Sequence, residues 1–269
     1  MAALDKAFHD LHRQGLLILA NVGDAGGARL VERLGSQAVA TSSAAVAWTH
    51  GYQDGNQLPL ELLSASIGLM TRVLSVPLTV DIEGGYSDDP IAVAKVIDAV
   101  LAAGAVGINI EDGVAAPDVL VRKIAAAKQV ANQHGIDLFV NVRCDVYLKN
   151  LLPAEQRLEE LLRRAARYAD AGADGFFAAG VVEPEEIATL CRAAEVPVNL
   201  LWRLGLAAPA ELQRLGVRRL SAGSSIAEFL YGALSGLARG FLEEGRLDTQ
   251  ALQAHSYGEL NALMAPRIP

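Results

Sequence analysis

The sequence is poor in cysteine, aromatic residues and clustered positive charge, and each shortage removes a class of protein. Only two cysteines occur in 269 residues, Cys144 and Cys191, far apart and outside any metal-type spacing. A disulfide framework or a zinc finger is thereby excluded, and a reducing cytoplasm is the expected compartment. Aromatic residues make up 5% of the chain against 52% hydrophobic residues overall. The core must be built from Ala, Val, Leu and Ile, the residues of parallel strands covered by helices, and not from the aromatic-rich faces of a β-sandwich. No basic block stands anywhere, and 23 Lys and Arg against 31 Asp and Glu give a net charge of −8, so the footprint of a nucleic-acid binder is missing. No apolar run reaches the roughly 18 residues of a membrane span, and the start, MAALDKAFHDLHRQG, mixes charges of both signs without a signal-type apolar core. The expectation is a soluble, unprocessed cytoplasmic protein with neither nucleic acid nor membrane as partner.

What is present is a repeat of short apolar runs followed by helical patterns. Strands are expected at about 16–22, 37–41, 77–83, 106–111, 137–143, 174–178, 196–201 and 217–222. Between them, stretches such as 89–105 and 153–173 carry apolar residues at helical spacing. Eight βα units in one chain of this length predict a single α/β domain over 1–269, a (β/α)8 TIM-type barrel with extra C-terminal helices at 225–269. The apolar residues of 224–245 fall on more than one helical face, which calls for cover from a neighbouring part or subunit.

Barrel enzymes place their chemistry at the C-terminal ends of the strands. The polar residues expected there are Asn21 and Asp24, then Thr41, Ser42 and Ser43, then Asp81 and Glu83, Glu111 and Asp112, Asn141, Arg143 and Asp145, Asn199 with Arg203 beyond, and Ser221 and Ser224. Alternation along a strand puts Asp81 and Glu83 on the same side, with Glu111 ending the next strand at similar height. Three carboxylates in one low-dielectric mouth repel unless a cation or protons neutralise them. All-oxygen ligands without His or Cys point to Mg2+ or Mn2+; the alternative is a set of rim acids paired with Arg143 and helix cations. Arg143 offers a planar fork to a substrate carboxylate or phosphate, or else pairs with Asp145 or Glu111. TSSAAVA at 41–47 supplies hydroxyls and N–H groups, and the loop 47–59 contains one acid, Asp54, and the acid–base candidate His50. Trp48 and Trp202 either wall the pocket or pack in the core, and Cys144 reads as a buried, inert thiol.

In order and spacing, NVGDAGGARLVERLG, ATSSAAVAW, GYQDGNQLP, VDIEGGY, INIEDG, NVRCDVYL, GVRRLSAGSS and the closing YGELNALMA make a chain that resembles the isocitrate lyase/phosphoenolpyruvate mutase superfamily, specifically its short phosphonomutase-like members. The resemblance implies Mg2+ held directly by Asp81 and, mainly through water, by Asp54, Glu83 and Glu111. It implies substrate contacts from Ser42, Ser43, Ala44, Asp81, Arg143 and Asn199, with Asp54, Arg143 and Glu111 as the catalytic set. The implied activity is that of a lyase on a small 2-oxo or 2-hydroxy (di)carboxylic acid, cleaving or decarboxylating beside a metal-stabilised enolate. Chemistry at a carbon–phosphorus bond of a phosphonopyruvate-like substrate, or a non-catalytic keto-acid-binding barrel, are the alternatives. C-terminal helices exchanged between subunits imply a homodimer or homotetramer. The sequence departs from the family at EDGVAAPDVLVRKI, which has neither the lyases' Lys-Lys/Arg-Cys-Gly-His loop nor the mutases' Lys-rich one. Further departures are Gly23, where short members usually have Trp, and the bulky NLLWRLG at 199–205.

Overall fold

The computed structural model describes residues 2–247 and 254–265. In chain order the first half holds helix α1 (Ala2–Asp10), strands β1 (Leu17–Leu19) and β2 (Asn21–Val22), α2 (Ala25–Arg33), β3 (Val39–Thr41), α3 (Ser43–Thr49), α4 (Leu60–Val73), β4 (Leu78–Asp81), α5 (Pro90–Ala102), β5 (Gly107–Glu111) and α6 (Pro117–His134). The second half continues with β6 (Phe139–Cys144), α7 (Ala154–Asp170), β7 (Gly175–Ala178), α8 (Pro184–Ala193), β8 (Val198–Leu201), α9 (Pro209–Leu215), β9 (Arg219–Ser221), α10 (Ser225–Glu244) and α11 (Tyr257–Met264).

All pairings are parallel, and the sheet order runs β1-β9-β8-β7-β6-β5-β4-β3-β2. Its two ends, β1 and β2, are halves of the single strand expected at 16–22, interrupted at Ala20, so the sheet closes on itself as the expected eight-fold barrel. The expected strands all form, shortened at their ends. One shortening matters for function: the strand expected at 77–83 stops at Asp81, because Glu83 takes a left-handed φ of 53°. The loop expected from residue 47 begins later, since Ser43–Thr49 winds into α3, capped by the Ser42 hydroxyl accepting from the Ala45 N–H.

The main core packs branched aliphatic side chains such as Val80, Ile108, Val140 and Leu200 between strands and outer helices. Gly104 and Gly172, with φ of 102° and 100°, turn α5 and α7 directly into the next strand on the N-terminal face. That face is closed by α1, a helix the strand-based reading leaves out. Leu4, Phe8 and Leu11, spaced for one helical face, meet Leu17, Val106 and Phe139 in a second cluster. His12 stacks on Phe139 with ring centroids 4.0 Å apart, and burial, aided by the charge of Arg219, pushes its pKa down to about 3, so it is neutral.

α10 differs from the other helices. Among its 20 residues none is buried, and Phe229, Leu230, Leu234, Phe241 and Leu242 stand open to solvent. Ile18, on a barrel strand, is itself 54% exposed. α11 folds back onto α2, where Arg29 Nε donates to the Leu263 carbonyl at 3.0 Å. The parts of 225–269 outside the described residues are 248–253 and 266–269.

Candidate active site

The strand ends converge on a cavity of about 520 Å³ at the C-terminal face, lined by Asn21, Ser42, Ser43, Ala44, Asp54, Asp81, Glu83, Asn109, Glu111, Arg143, Lys149 and Ser221, among others. Asp54, Asp81, Glu83 and Glu111, the expected metal-binding acids, share this one space with Ser42, Ser43, Ala44 and Arg143. A second cavity of about 560 Å³ lies at the opposite face against α1, away from these acids.

Each acid arrives by its own route. Asp81 ends β4, its N–H donating to Thr41 Oγ1 at 2.9 Å, and its Oδ1 accepts from the Glu83 N–H at 3.1 Å. Glu83 reaches the cavity through its left-handed backbone and not through strand alternation. Its Oε2 accepts from the N–H groups of Gly55, at 2.8 Å, and of Asn56, while Asn56 Oδ1 accepts from the Tyr86 N–H at 3.1 Å. These contacts fasten the 50–59 loop to the β4 end and carry Asp54 into the cavity. Asn56 and Tyr86 too have positive φ, 59° and 61°; three non-glycine residues in this costly region mark a site whose geometry the surroundings impose. Glu111 ends β5 and pairs with Arg143 Nη2.

The electrostatics follow from burial and crowding. Burial pushes Glu83 up to about 7, helped by Asp54 and Asp81 and opposed by the N–H groups of Asn56 and Gly55. Burial likewise pushes Glu111 up to about 7, with Arg143 acting downward and Asp81 and Asp145 upward. Asp81 is raised above the ordinary carboxylate range by burial, against the pull of Arg143. Asp145 goes the other way: burial alone would raise it, but Arg143 and Lys149 outweigh that and hold it low.

Arg143 spends much of its fork on protein. Nε and Nη2 donate to the two oxygens of Asp145 at 2.8 and 3.1 Å, in addition to the Glu111 pair. The pairing reading of this arginine is therefore present in the structure, and it leaves Nη1 as the nitrogen for a ligand. Lys149, which the sequence reading passed over, stands at the cavity edge with Nζ 2.9 Å from Asp145 Oδ2 and 3.7 Å from Glu111 Oε1. Its i,i+4 spacing from Asp145 was the available signal.

Several expected residues lie elsewhere. Asn199 is 1% exposed and sits below the cavity, its Oδ1 accepting from Ser221 Oγ at 3.2 Å, because β8 turns it into the barrel axis one layer down. Asp24 caps α2 through the Gly27 N–H at 2.7 Å. His50 is held to Ser66 Oγ at 2.7 Å. Trp48 packs edge-on against Tyr231 of α10, and Trp202 is 41% exposed; neither walls the cavity. Asp112 points outward into α7, and Cys144 is a buried thiol pushed well up by burial. Asn109 and Arg219 also escaped the reading, although each shares strand parity with a residue assigned to the mouth, Glu111 and Ser221 respectively.

The donor set suits a hard divalent ion: every donor is oxygen, and Asp81, Glu83 and Glu111 are held in surroundings that favour protons or a cation over bare charge. Among the described residues no three Asp, Glu, His or Cys side chains come close enough to enclose a metal on their own. The tight trio expected from alternation is thus loosened into acids around a shared space. An ion that takes one or two carboxylates and keeps several waters, as Mg2+ does, asks for no tighter cluster.

A closed α/β barrel with an acidic cavity at its strand ends has the architecture of a barrel enzyme, whose chemistry sits at that face. The family model described as phosphoenolpyruvate phosphomutase matches residues 8–242. An uncharacterized protein of Mycobacterium tuberculosis is 40% identical over 222 residues, 81% of this chain and 82% of its own. The 2-methylisocitrate lyase of Escherichia coli is 28% identical over 208 residues, 72% of this chain and 68% of its own. A solved structure from Burkholderia cenocepacia J2315 is 38% identical, with a TM-score of 0.83 over 88% of this chain and 99% of that one. The chain belongs to the isocitrate lyase/phosphoenolpyruvate mutase superfamily, a group of lyases and mutases.

Proposed function

We propose that the protein is a Mg2+-dependent lyase acting on a small 2-oxo or 2-hydroxy acid with a second carboxylate, by cleavage or decarboxylation of the carbon–carbon bond beside a developing enolate. The observation that carries this reading is one cavity with an acidic wall, Asp54, Asp81, Glu83 and Glu111, facing cationic Arg143 and Lys149 and the Ser42-Ser43-Ala44 turn. Asp81 is the nearest candidate for a direct ligand, with Asp54, Glu83 and Glu111 completing the shell through water; Mn2+ fits the same oxygen set. The ion, when bound, supplies Lewis-acid charge next to the enolate oxygen. Arg143 Nη1 and Lys149 hold the anionic end of the substrate, and Glu111 and Asp54 border the reacting atoms. The connection from β5 to α6 runs only from Asp112 to Ala116, so neither family loop is available there and proton traffic falls to residues of the cavity itself. The E. coli relative's name, 2-methylisocitrate lyase, is consistent with carbon–carbon chemistry.

The test is a panel of 2-oxo and 2-hydroxy acids with phosphonopyruvate, each with and without Mg2+, read as release of pyruvate, glyoxylate or carbon dioxide. Turnover of a carboxylic acid only with Mg2+ is the expected result. Turnover of phosphonopyruvate alone moves the assignment to carbon–phosphorus chemistry, and Mg2+-dependent binding without any turnover makes the barrel a keto-acid binder.

The assembly proposed is a homodimer or homotetramer built on α10. A 20-residue helix without one buried residue is not stable on its own account in water, and Ile18 of β1 is an apolar strand residue left uncovered as well. Sedimentation at micromolar concentration should show more than one chain per particle; a monomer removes this assembly.

A further inference from the structure

Below the acids the barrel axis is filled by a polar layer. The register aligns Asp81 with Asn109, Asn109 with Asn141, Asn141 with Gly175, and Asn199 with Arg219. Gly175 leaves room for this layer, since a Cβ there would stand 2.7 Å from Asn141 Oδ1. Arg219 lies at its centre, 0% exposed, with Nη2 3.2 Å from Asn109 Oδ1 and Nε 3.1 Å from Ser221 Oγ.

An amide's oxygen and nitrogen are hard to tell apart, but a guanidinium only donates. The Asn109 atom facing Arg219 must therefore be oxygen, and Asn141 Nδ2 brings a second donor to it at 2.9 Å. With both lone pairs of Oδ1 engaged, the Asn109 NH2 group is turned away from Arg219. Asn109 lines the cavity, and among the described residues its NH2 has no protein acceptor. The acidic wall thus has one neutral donor set into its floor, beside Asp81, at a fixed rotamer.

We infer that Asn109 donates its amide N–H to a substrate oxygen, and that Arg219 is the positioning residue that fixes this amide the right way round. The inference rests on the reading of the cavity as the substrate site. A preoriented donor aimed at an oxygen that gains charge during reaction stabilises that charge without reorganising. Aspartate at the same position would instead repel the anion.

Oxalate, a planar two-carbon dianion shaped like a pyruvate enolate, is the probe, titrated calorimetrically into the Mg2+-loaded full-length protein. Asn109→Ala should weaken oxalate binding roughly tenfold or more, the worth of a hydrogen bond to a charged group. Mg2+ binding measured alone should change by less than about twofold, as expected for a residue that is no ligand. Asn109→Asp should weaken oxalate further. Arg219→Met should lose a factor similar to that of Asn109→Ala, and the double variant should lose no more than the larger single, since both act through one hydrogen bond. Fully additive losses, or an Asn109→Ala protein that binds oxalate like the parent, overturn the inference. The Asn109 variants decide it even if Arg219→Met does not fold. A parent that binds no oxalate with Mg2+ present overturns the substrate-site reading itself, an outcome distinct from unchanged variants of a binding parent.

Discussion

Two sets of buried carboxylates stand at adjacent strand ends and are treated in opposite ways. Asp112 Oδ2 accepts from Arg164 Nη1 at 2.7 Å and from the Tyr168 hydroxyl at 2.8 Å, and its Oδ1 accepts from the Asp145 N–H at 2.9 Å. Both its oxygens are held by fixed donors from α7 and from the residue after β6, and it acts as a strut between strand and helix. One residue earlier, Glu111 faces the cavity and, with Asp81 and Glu83, is held in surroundings that favour its protonated form. A single step along β5 changes the face, and with it the surroundings, from the fixed donors of α7 to the shared acidic cavity. Burial alone does not separate the two: Asp112 is turned outward onto Arg164 and Tyr168 of α7, whereas Asp81, Glu83 and Glu111 share one cavity, where carboxylate repulsion adds to burial.

The strongest way to break this comparison is to remove the strut. Asp112→Ala leaves Arg164 and Tyr168 facing each other without their acceptor, and should cost about 3–5 kcal/mol of stability in urea unfolding, while the folded fraction still binds Mg2+. Loss of Mg2+ binding with unchanged stability would exchange the two roles.

The converse substitution, Asp81→Asn, keeps the shape and removes the charge. Mg2+ affinity should fall by about 100-fold or more, a loss of some 2.7 kcal/mol. Thermal stability in the absence of metal should hold or rise at pH 8, because one member of a repelling set is gone. A variant that binds Mg2+ like the parent removes Asp81 from the site.

pH sharpens the contrast by a smaller amount. Glu83 and Glu111 have folded-state values of about 7 against an ordinary 4.5, so the folded protein holds more protons than the unfolded chain between those limits. Their contribution to stability is complete below about 4.5 and is lost as pH rises through about 7. Metal-free protein should therefore lose part of its melting temperature between pH 5 and 8, and saturating Mg2+ should flatten or reverse that slope. Mg2+ affinity should weaken as pH falls below 7, by up to about tenfold per pH unit for each proton displaced. A pH-independent affinity, measured calorimetrically in buffers of different ionisation enthalpy, places neither glutamate near the ion.

The smallest effect is expected at Arg143, which pairs with Glu111 and with Asp145. Arg143→Lys should weaken oxalate by a few-fold only, about 1 kcal/mol, since Nη1 is the nitrogen left for a ligand. Unchanged affinity assigns the whole guanidinium to the Asp145 and Glu111 pairs.

The sequence by itself determined the barrel, because eight apolar runs of strand length alternating with amphipathic helices leave few other ways to bury so much aliphatic surface. It also located Asp54, Asp81, Glu83 and Glu111 at strand ends and loops on the C-terminal face of the barrel. The alternation that joined Asp81 to Glu83 was a sound rule applied one turn too far, for the strand ends at Asp81 and a left-handed residue carries Glu83 onward. Asn199 shows the same limit, since parity tells which side of a strand a residue faces but not its height in the barrel. Only the tertiary structure decided which donors each acid meets. It turned Asp112 toward Arg164, brought Lys149 to Glu111, and placed Arg219 behind Asn109 across 110 residues of chain. Such pairings depend on the register and closure of the whole barrel, and no local pattern of residues encodes them.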